Sequence, residues 1–115
     1  MRIKRGVPSH HKHQKIRTAT KGMTHSRRRS IKMGRQGLVK ALQYAYRDRR
    51  NHKRTFRNLW NSRINAAARE QGISYSQFIN GLKKANITLN RKILAELAVN
   101  EPSAFNEIVK IAKQK

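Results

Sequence analysis

The chain has 115 residues, a formal net charge of +23 and no cysteine. Nineteen of its 28 Lys and Arg residues, but only one of its five carboxylates, lie in the first 60 residues. This composition excludes a disulfide framework and a thiolate metal site, and the clustered positive charge favours a polyanionic partner such as nucleic acid.

The first 30 residues carry few apolar side chains. The segment Ser9–Thr20 predicts a short helix capped by Ser9 and stopped by Gly22, and we expect it to be coil when isolated in water. Residues 25–30, HSRRRS, predict a turn or a single helical turn. The N-terminus lacks the apolar centre of a secretory signal, and its basic character extends beyond a presequence, so we expect it to remain in the mature chain.

A single long helix is predicted from about Ile31 to Gln71, ended by Gly72 as a C′ glycine. Gly34 and Gly37 are its weak points, each costing about 1 kcal/mol relative to alanine. Two apolar stripes lie on it, formed by Leu38, Leu42 and Ala45 and by Phe56, Leu59, Trp60, Ile64 and Ala67 or Ala68.

Between the stripes, residues 47–55 contain no apolar side chain. A helix that is polar all round cannot lie in a protein core, so it is either a solvated connector or a surface buried by nucleic acid. Because this segment carries five Lys and Arg residues and a histidine, RDRRNHKRT, we expect burial by RNA or DNA.

Three short amphipathic helices follow. Ser74 is predicted to cap a helix over Tyr75–Ala85, Asn90 one over Arg91–Val99, and Ser103 a last one after Pro102. Their inward residues are predicted to be Phe78, Ile79 and Leu82; Ile93, Leu94 and Leu97; and Phe105, Ile108, Val109 and Ala112. The fold class is therefore all-α, with a long basic helical extension at residues 1–58 and a small helical array at residues 59–115.

Catalytic and metal sites are not expected. Asp48 lies between Arg47 and Arg49, where adjacent cations favour its ionised form and suit no general acid; its intrahelical partner would be His52. The three histidines His10, His11 and His13 have no cysteine or carboxylate nearby to complete a zinc site. We therefore predict no enzyme activity, no metal, no cofactor and no small-molecule substrate.

Tyr44 and Tyr46 flank the start of the charged segment. Tyrosine beside arginine suits stacking on unpaired bases together with phosphate contact. Two residues apart on a helix, the two rings point about 160° apart. We expect one of them on RNA and the other against protein or backbone.

Several blocks resemble the bacterial-type ribosomal protein L20 family of the large subunit. The strongest are YAYRDRR at 44–50, LW at 59–60 with RINAAAR at 63–69, and SYSQFINGLKKA at 74–85. The resemblance covers essentially the whole chain from KRGV at 4–7. It departs where the family usually has an aromatic residue and a glycine, at Met23 and His25, so contacts at residues 23–32 transfer least safely.

This resemblance implies a structural protein of a bacterial-type large ribosomal subunit. It implies an extended helical arm threaded through 23S-type rRNA, a role in early subunit assembly and, in some bacteria, repression of its own messenger. We expect neighbouring ribosomal proteins as further partners, no membrane contact and no homo-oligomer. The expected location is the ribosome in the bacterial cytoplasm, with an organellar ribosome left open.

The predicted rRNA-contacting residues come from two sources. The resemblance carries over Lys4, Arg5, Arg47, Arg49, Arg50, Lys53, Arg54, Arg57, Arg63, Lys83 and Lys84. Charge and side-chain chemistry add His10, His11, Lys12, His13, Lys15, Arg17, Lys21, Arg27, Arg28, Arg29, Lys32, Arg35, Tyr44 and Tyr46.

Two other functions share part of this pattern. A DNA-compacting nucleoid protein would share the charge, but it would usually need a dimer interface that the short C-terminal helices do not suggest. A membrane-active cationic helix would need a wide apolar face, which residues 47–55 lack.

Overall fold

The computed structural model describes residues 4–114, so residues 1–3 of the predicted extension and residue 115 of the predicted C-terminal array lie outside it. Within that range the chain is all-α, as predicted, and no strand is present. The helices are α1 (Gly6–Ala19), α2 (Ile31–Glu70), α3 (Tyr75–Lys84), α4 (Arg91–Asn100) and α5 (Pro102–Lys113), with a 3-10 turn at His25–Arg27.

Backbone contacts divide the chain into two units, residues 1–50 and 51–115, each of which is described by itself. The predicted boundary between residues 58 and 59 rests on the distribution of charge and apolar residues along the sequence, and it stays a prediction. No helix in the described part of the chain is long and apolar enough to cross a membrane.

Helix α1 begins three residues earlier than predicted. The Ser9 amide donates to the Arg5 carbonyl, so Ser9 lies inside the helix and does not cap it. The prediction treated Pro8 as a residue outside the helix, but a proline in the first turn loses no hydrogen bond, because those amides have no intrahelical acceptor. The predicted stop is confirmed: Gly22 adopts the left-handed backbone conformation, at φ +85°.

In the first unit, α1 and α2 approach each other closely at Gly34. A Cβ at this position would lie 2.7 Å from the Arg27 carbonyl oxygen and 3.1 Å from a methyl carbon of Ile16. Thr20 is buried beside this contact, and its hydroxyl donates to the Ile16 carbonyl at 2.9 Å. Gly34 therefore has a packing role in addition to its low helix propensity.

The turn predicted at residues 25–30 is the 3-10 turn, and it starts with a strained residue. His25 has a φ of +57°, in the left-handed region that a side chain disfavours. The resembled family usually carries glycine here, which adopts this conformation without steric cost. The departure at His25 therefore has a backbone consequence.

The second unit contains the hydrophobic core. Helix α5 packs against α3 and α4, and the Phe78 and Phe105 rings lie 5.3 Å apart between centroids. Gly81 of α3 is buried against α5, where a Cβ would collide with the backbone carbonyl of Ala112. The remaining buried apolar residues of this core are Ile64, Ala68, Leu82, Leu94, Ala95, Val109 and Ala112.

Two predicted caps are confirmed and one is wrong. The Ser74 hydroxyl accepts from the Gln77 amide in a reciprocal capping box, and the Asn90 side chain accepts from the Ile93 amide at 2.9 Å. Ser103 lies inside α5, which begins at Pro102 with Glu101 as the N-cap residue and no side-chain cap. Proline favours the first helical position, so the helix begins at Pro102.

Three apolar residues predicted for the interior are exposed. Phe56 and Leu59 are 41% and 42% exposed, because the C-terminal helices cover α2 only from Trp60 onward, where Trp60 is half-buried. Ile93 is 40% exposed, and Ala95 is buried in its place on α4. The other predicted inward residues of α3, α4 and α5 are buried or half-buried.

Candidate nucleic-acid interface

Every residue predicted to contact rRNA is exposed. In the first unit these residues lie just before and on α1, in the connection from residue 21 to residue 29, and on α2 up to Arg50. In the second unit they lie on α2 and in the last turn of α3, as Lys53, Arg54, Arg57, Arg63, Lys83 and Lys84. The surface can therefore offer its cationic groups to phosphates without rearranging a core.

In the middle of α2 every residue is exposed. Residues 41–50 of the first unit and 51–59 of the second are all exposed. This exposure agrees with the prediction that residues 47–55 lie outside any protein core. Because only Asp48 among the first 60 residues is acidic, the surface is positive almost throughout.

Arg47 is held by two neighbours on its own helix. Its Nε lies 2.8 Å from Asp48 Oδ1, and its guanidinium lies 4.8 Å from the centre of the Tyr44 ring. The hydrogen bond to Asp48 raises the pKa of Arg47 above its ordinary value, so the guanidinium stays charged. The predicted Asp48–His52 pair is wrong, because Asp48 pairs with the adjacent Arg47.

Tyr46, two residues further along and on another side of the helix, makes a similar contact, with the Arg50 guanidinium 5.1 Å from its ring centre. Tyr44 and Tyr46 are both more than half exposed. The prediction that one of them packs against protein therefore finds no support in the described residues. Each ring instead carries an arginine on one side, an arrangement that suits contact with a base and its phosphate together.

An aromatic row lies on α2, of which Phe56 and Trp60 were predicted for the core, whereas His52 belongs to the segment 47–55 predicted to lie outside it. The His52 and Phe56 rings meet edge to face at 4.5 Å, and Phe56 lies 6.2 Å from Trp60. Only Trp60 contacts the core. The spacing of four residues indicated a shared helix face, but it could not indicate how far along α2 the covering helices reach.

The histidines of α1 do not form a metal site. His10 and His11 are exposed, with ring centres 6.2 Å apart. Among residues 4–114 no group of three or more His, Cys, Asp or Glu side chains could hold a metal ion. These histidines remain predicted RNA contacts.

Comparison with known proteins gives a consistent result. The family described as ribosomal protein L20 matches residues 2–108. The large ribosomal subunit protein bL20 of Roseiflexus sp. RS-1 is 56% identical over 113 residues, covering 98% of this chain and 97% of its own length. The proteins of that name from Methylobacterium nodulans and Pelagibacter ubique are each 54% identical over 112 residues, covering 97% of this chain and 90% and 95% of their own.

Proposed function

Because the chain belongs to the ribosomal protein L20 family, we propose that it is a structural component of the large ribosomal subunit that binds large-subunit rRNA directly. Membership of this family also makes it a non-enzymatic protein, as the sparse carboxylates predicted. The bacterial relatives support a location in the ribosome of a bacterial cytoplasm.

The exposed cationic residues of α2 carry the proposal of direct RNA binding. Phosphates neutralise its Lys and Arg residues, and the release of condensed counterions drives the association. Neutralisation also removes the repulsion between neighbouring cations, which amounts to about 1 kcal/mol per pair at 4 Å in bulk water. The extension is therefore ordered as it binds.

A competition experiment tests this function and separates it from DNA compaction. Full-length protein is bound to labelled, protein-free large-subunit rRNA and challenged with small-subunit rRNA or duplex DNA at equal phosphate concentration. Large-subunit rRNA should compete at least tenfold better than either. Equal competition by duplex DNA would contradict the proposal and favour the nucleoid alternative.

A role in early assembly follows from threading of the extension into folding rRNA. Subunit reconstitution without this protein should stall at a particle that lacks later proteins, and late addition should rescue it slowly. Normal assembly kinetics without it would contradict the role.

Binding to its own messenger is the last part of the proposal and rests on family resemblance. A reporter fused to the leader of its operon should fall in expression when the protein is overproduced. Unchanged expression would limit the function to the ribosome.

A further inference from the structure

The first unit contains an open groove of about 590 Å³ between the 23–27 turn and one face of α2. This volume lies within the ~300–1,000 Å³ typical of sites that hold a small ligand. Met33 and Tyr44 lie at opposite ends of the lining face of α2, eleven residues and about 16 Å of helix apart.

The floor of the groove exists because two α2 residues are small. Gly37 and Ala41 are one turn apart and offer no side chain beyond Cβ. A Cβ at Gly37 would lie 3.3 Å from Arg27 Cδ and 3.4 Å from Met23 Sδ, so the turn rests directly on this glycine. The space above Ala41 is left open.

The groove combines apolar and polar groups. Met33 and Tyr44 are 38% and 53% exposed and supply a thioether and an aromatic face. Gln36 supplies an amide that both donates and accepts, while Arg27 and Lys40 supply positive charge at the rim. No carboxylate is among the described residues that line the groove. This lining suits a flat apolar ring that carries hydrogen-bonding edges and a nearby negative charge.

We infer that this groove receives one unpaired nucleotide of the bound RNA, with its base against the Met33–Tyr44 face and its phosphate near Arg27 and Lys40. The inference rests on the proposed function and extends it from phosphate contact to recognition of a single base. Unpaired bases are the parts of RNA that aromatic side chains and amides read.

The test blocks the groove without changing charge. Ala41→Phe fills the open space, and Ala66→Phe, an exposed alanine of α2 outside both the groove and the 41–59 surface, is the matched control. Each full-length protein is bound to protein-free large-subunit rRNA. The complex is then probed with dimethyl sulfate and a carbodiimide, which modify the Watson–Crick edges of unpaired bases.

The wild type and Ala66→Phe should protect the same nucleotides. Ala41→Phe should restore reactivity at one unpaired nucleotide, or at two adjacent ones, while other protections and the salt dependence of binding persist. Its affinity should fall about tenfold, within the range that stacking of one base contributes. Gln36→Leu should weaken protection at the same nucleotide, whereas Gln114→Leu, exposed at the end of α5 and outside the groove, should not.

Other outcomes overturn the inference. Identical footprints for Ala41→Phe and the wild type would leave the groove without a base. Loss of the same protections in both phenylalanine variants, or of all protections in Ala41→Phe, would indicate a general effect on α2. Protection that requires added ribosomal proteins would assign the groove to a protein neighbour. A wild-type protein that protects no rRNA would remove the proposed function itself.

Discussion

At the residue scale, the aromatic side chains of the second unit differ in how far they are buried. Phe78 and Phe105 are 0% and 1% exposed and contact each other, whereas Phe56 is 41% exposed on α2. Trp60 lies between these extremes and packs against the edge of the core. The same aromatic chemistry therefore stabilises the fold at some positions and leaves a contact surface at another.

Replacing Phe78 with alanine should destabilise the protein severely. Removing a fully buried phenylalanine typically costs about 3–5 kcal/mol, which approaches the whole stability of a small domain. Trp60→Ala should cost less, because part of its ring is already in water. Urea unfolding of the full-length protein, followed by far-UV circular dichroism, measures both, with Phe56→Ala as the exposed control. A larger loss for Phe56→Ala than for Phe78→Ala would contradict the core assignment.

At the element scale, the caps and close approaches define the helices of the second unit. Tyr75 donates from its hydroxyl to Asn61 at 2.9 Å and joins α3 to α2. The Lys113 ammonium donates to the Gln71 carbonyl at the end of α2. The Lys113 contact thus supplies a donor to a carbonyl at a helix end, where backbone groups have no intrahelical partner.

The two serines predicted as caps should respond differently to alanine. Ser74→Ala removes the capping box of α3 and should lower the free energy of unfolding by about 1 kcal/mol. Ser103→Ala should change it little, because Ser103 lies inside α5 and makes no cap hydrogen bond. The urea concentration at the midpoint of unfolding is measured for both variants. An equal loss of stability in the two would contradict the observed start of α5.

Gly81 should tolerate no larger side chain. A Cβ would enter the backbone of Ala112, so Gly81→Ala should force α3 and α5 apart and cost about 1–3 kcal/mol. Asn80→Ala, at an exposed neighbouring position, should be neutral or slightly stabilising, because alanine favours helix. If Gly81→Ala unfolded at a higher temperature than the wild type, the close approach would be wrong.

The helices could be predicted from the sequence because local signals fix them: Gly72 ends α2 at φ +76°, and Ser74 and Asn90 cap their helices. The starts at Gly6 and Pro102 were missed, because a proline in a first turn reads equally well as a residue outside the helix. Periodicity placed Phe56 and Ile93 on apolar faces, but only tertiary packing decides which part of a face is covered.

The exposure of the candidate site could be predicted from the sequence, but its groove could not. Exposure of the cationic residues follows from charge alone, since an unpaired Lys or Arg is rarely buried. The groove above Ala41 was not predictable, because it depends on residues 23–27 lying against Gly37, a contact between elements.

At the scale of the whole molecule, buried apolar residues and positive charge are distributed unequally between the two units. The described core residues all lie in the second unit, whereas Thr20 and Gly34 are the described buried residues of the first. The first unit therefore gains little from apolar burial to offset the entropy of ordering and the repulsion between cations.

The extension at residues 1–58 should be disordered in the free protein and helical on RNA. Hydrogen exchange of its amides should be fast in free protein at low salt and slow in the rRNA complex. Amides of α3, α4 and α5 should be protected in both states, which controls for global unfolding. Slow exchange over residues 31–58 in the free protein would contradict coupled folding.

The central claim is that exposed cations of α2 bind rRNA phosphates, and the salt dependence of binding tests it most directly. The affinity of full-length protein for protein-free large-subunit rRNA is measured over a range of salt concentrations. Lys53→Ala should reduce the slope of log K against log salt by about 0.7 to 0.9. Lys92→Ala, which removes an exposed lysine of α4 that lies 4.0 Å from Glu96, should leave the slope unchanged. An unchanged slope for Lys53→Ala, or an equal reduction for both variants, would contradict the claim.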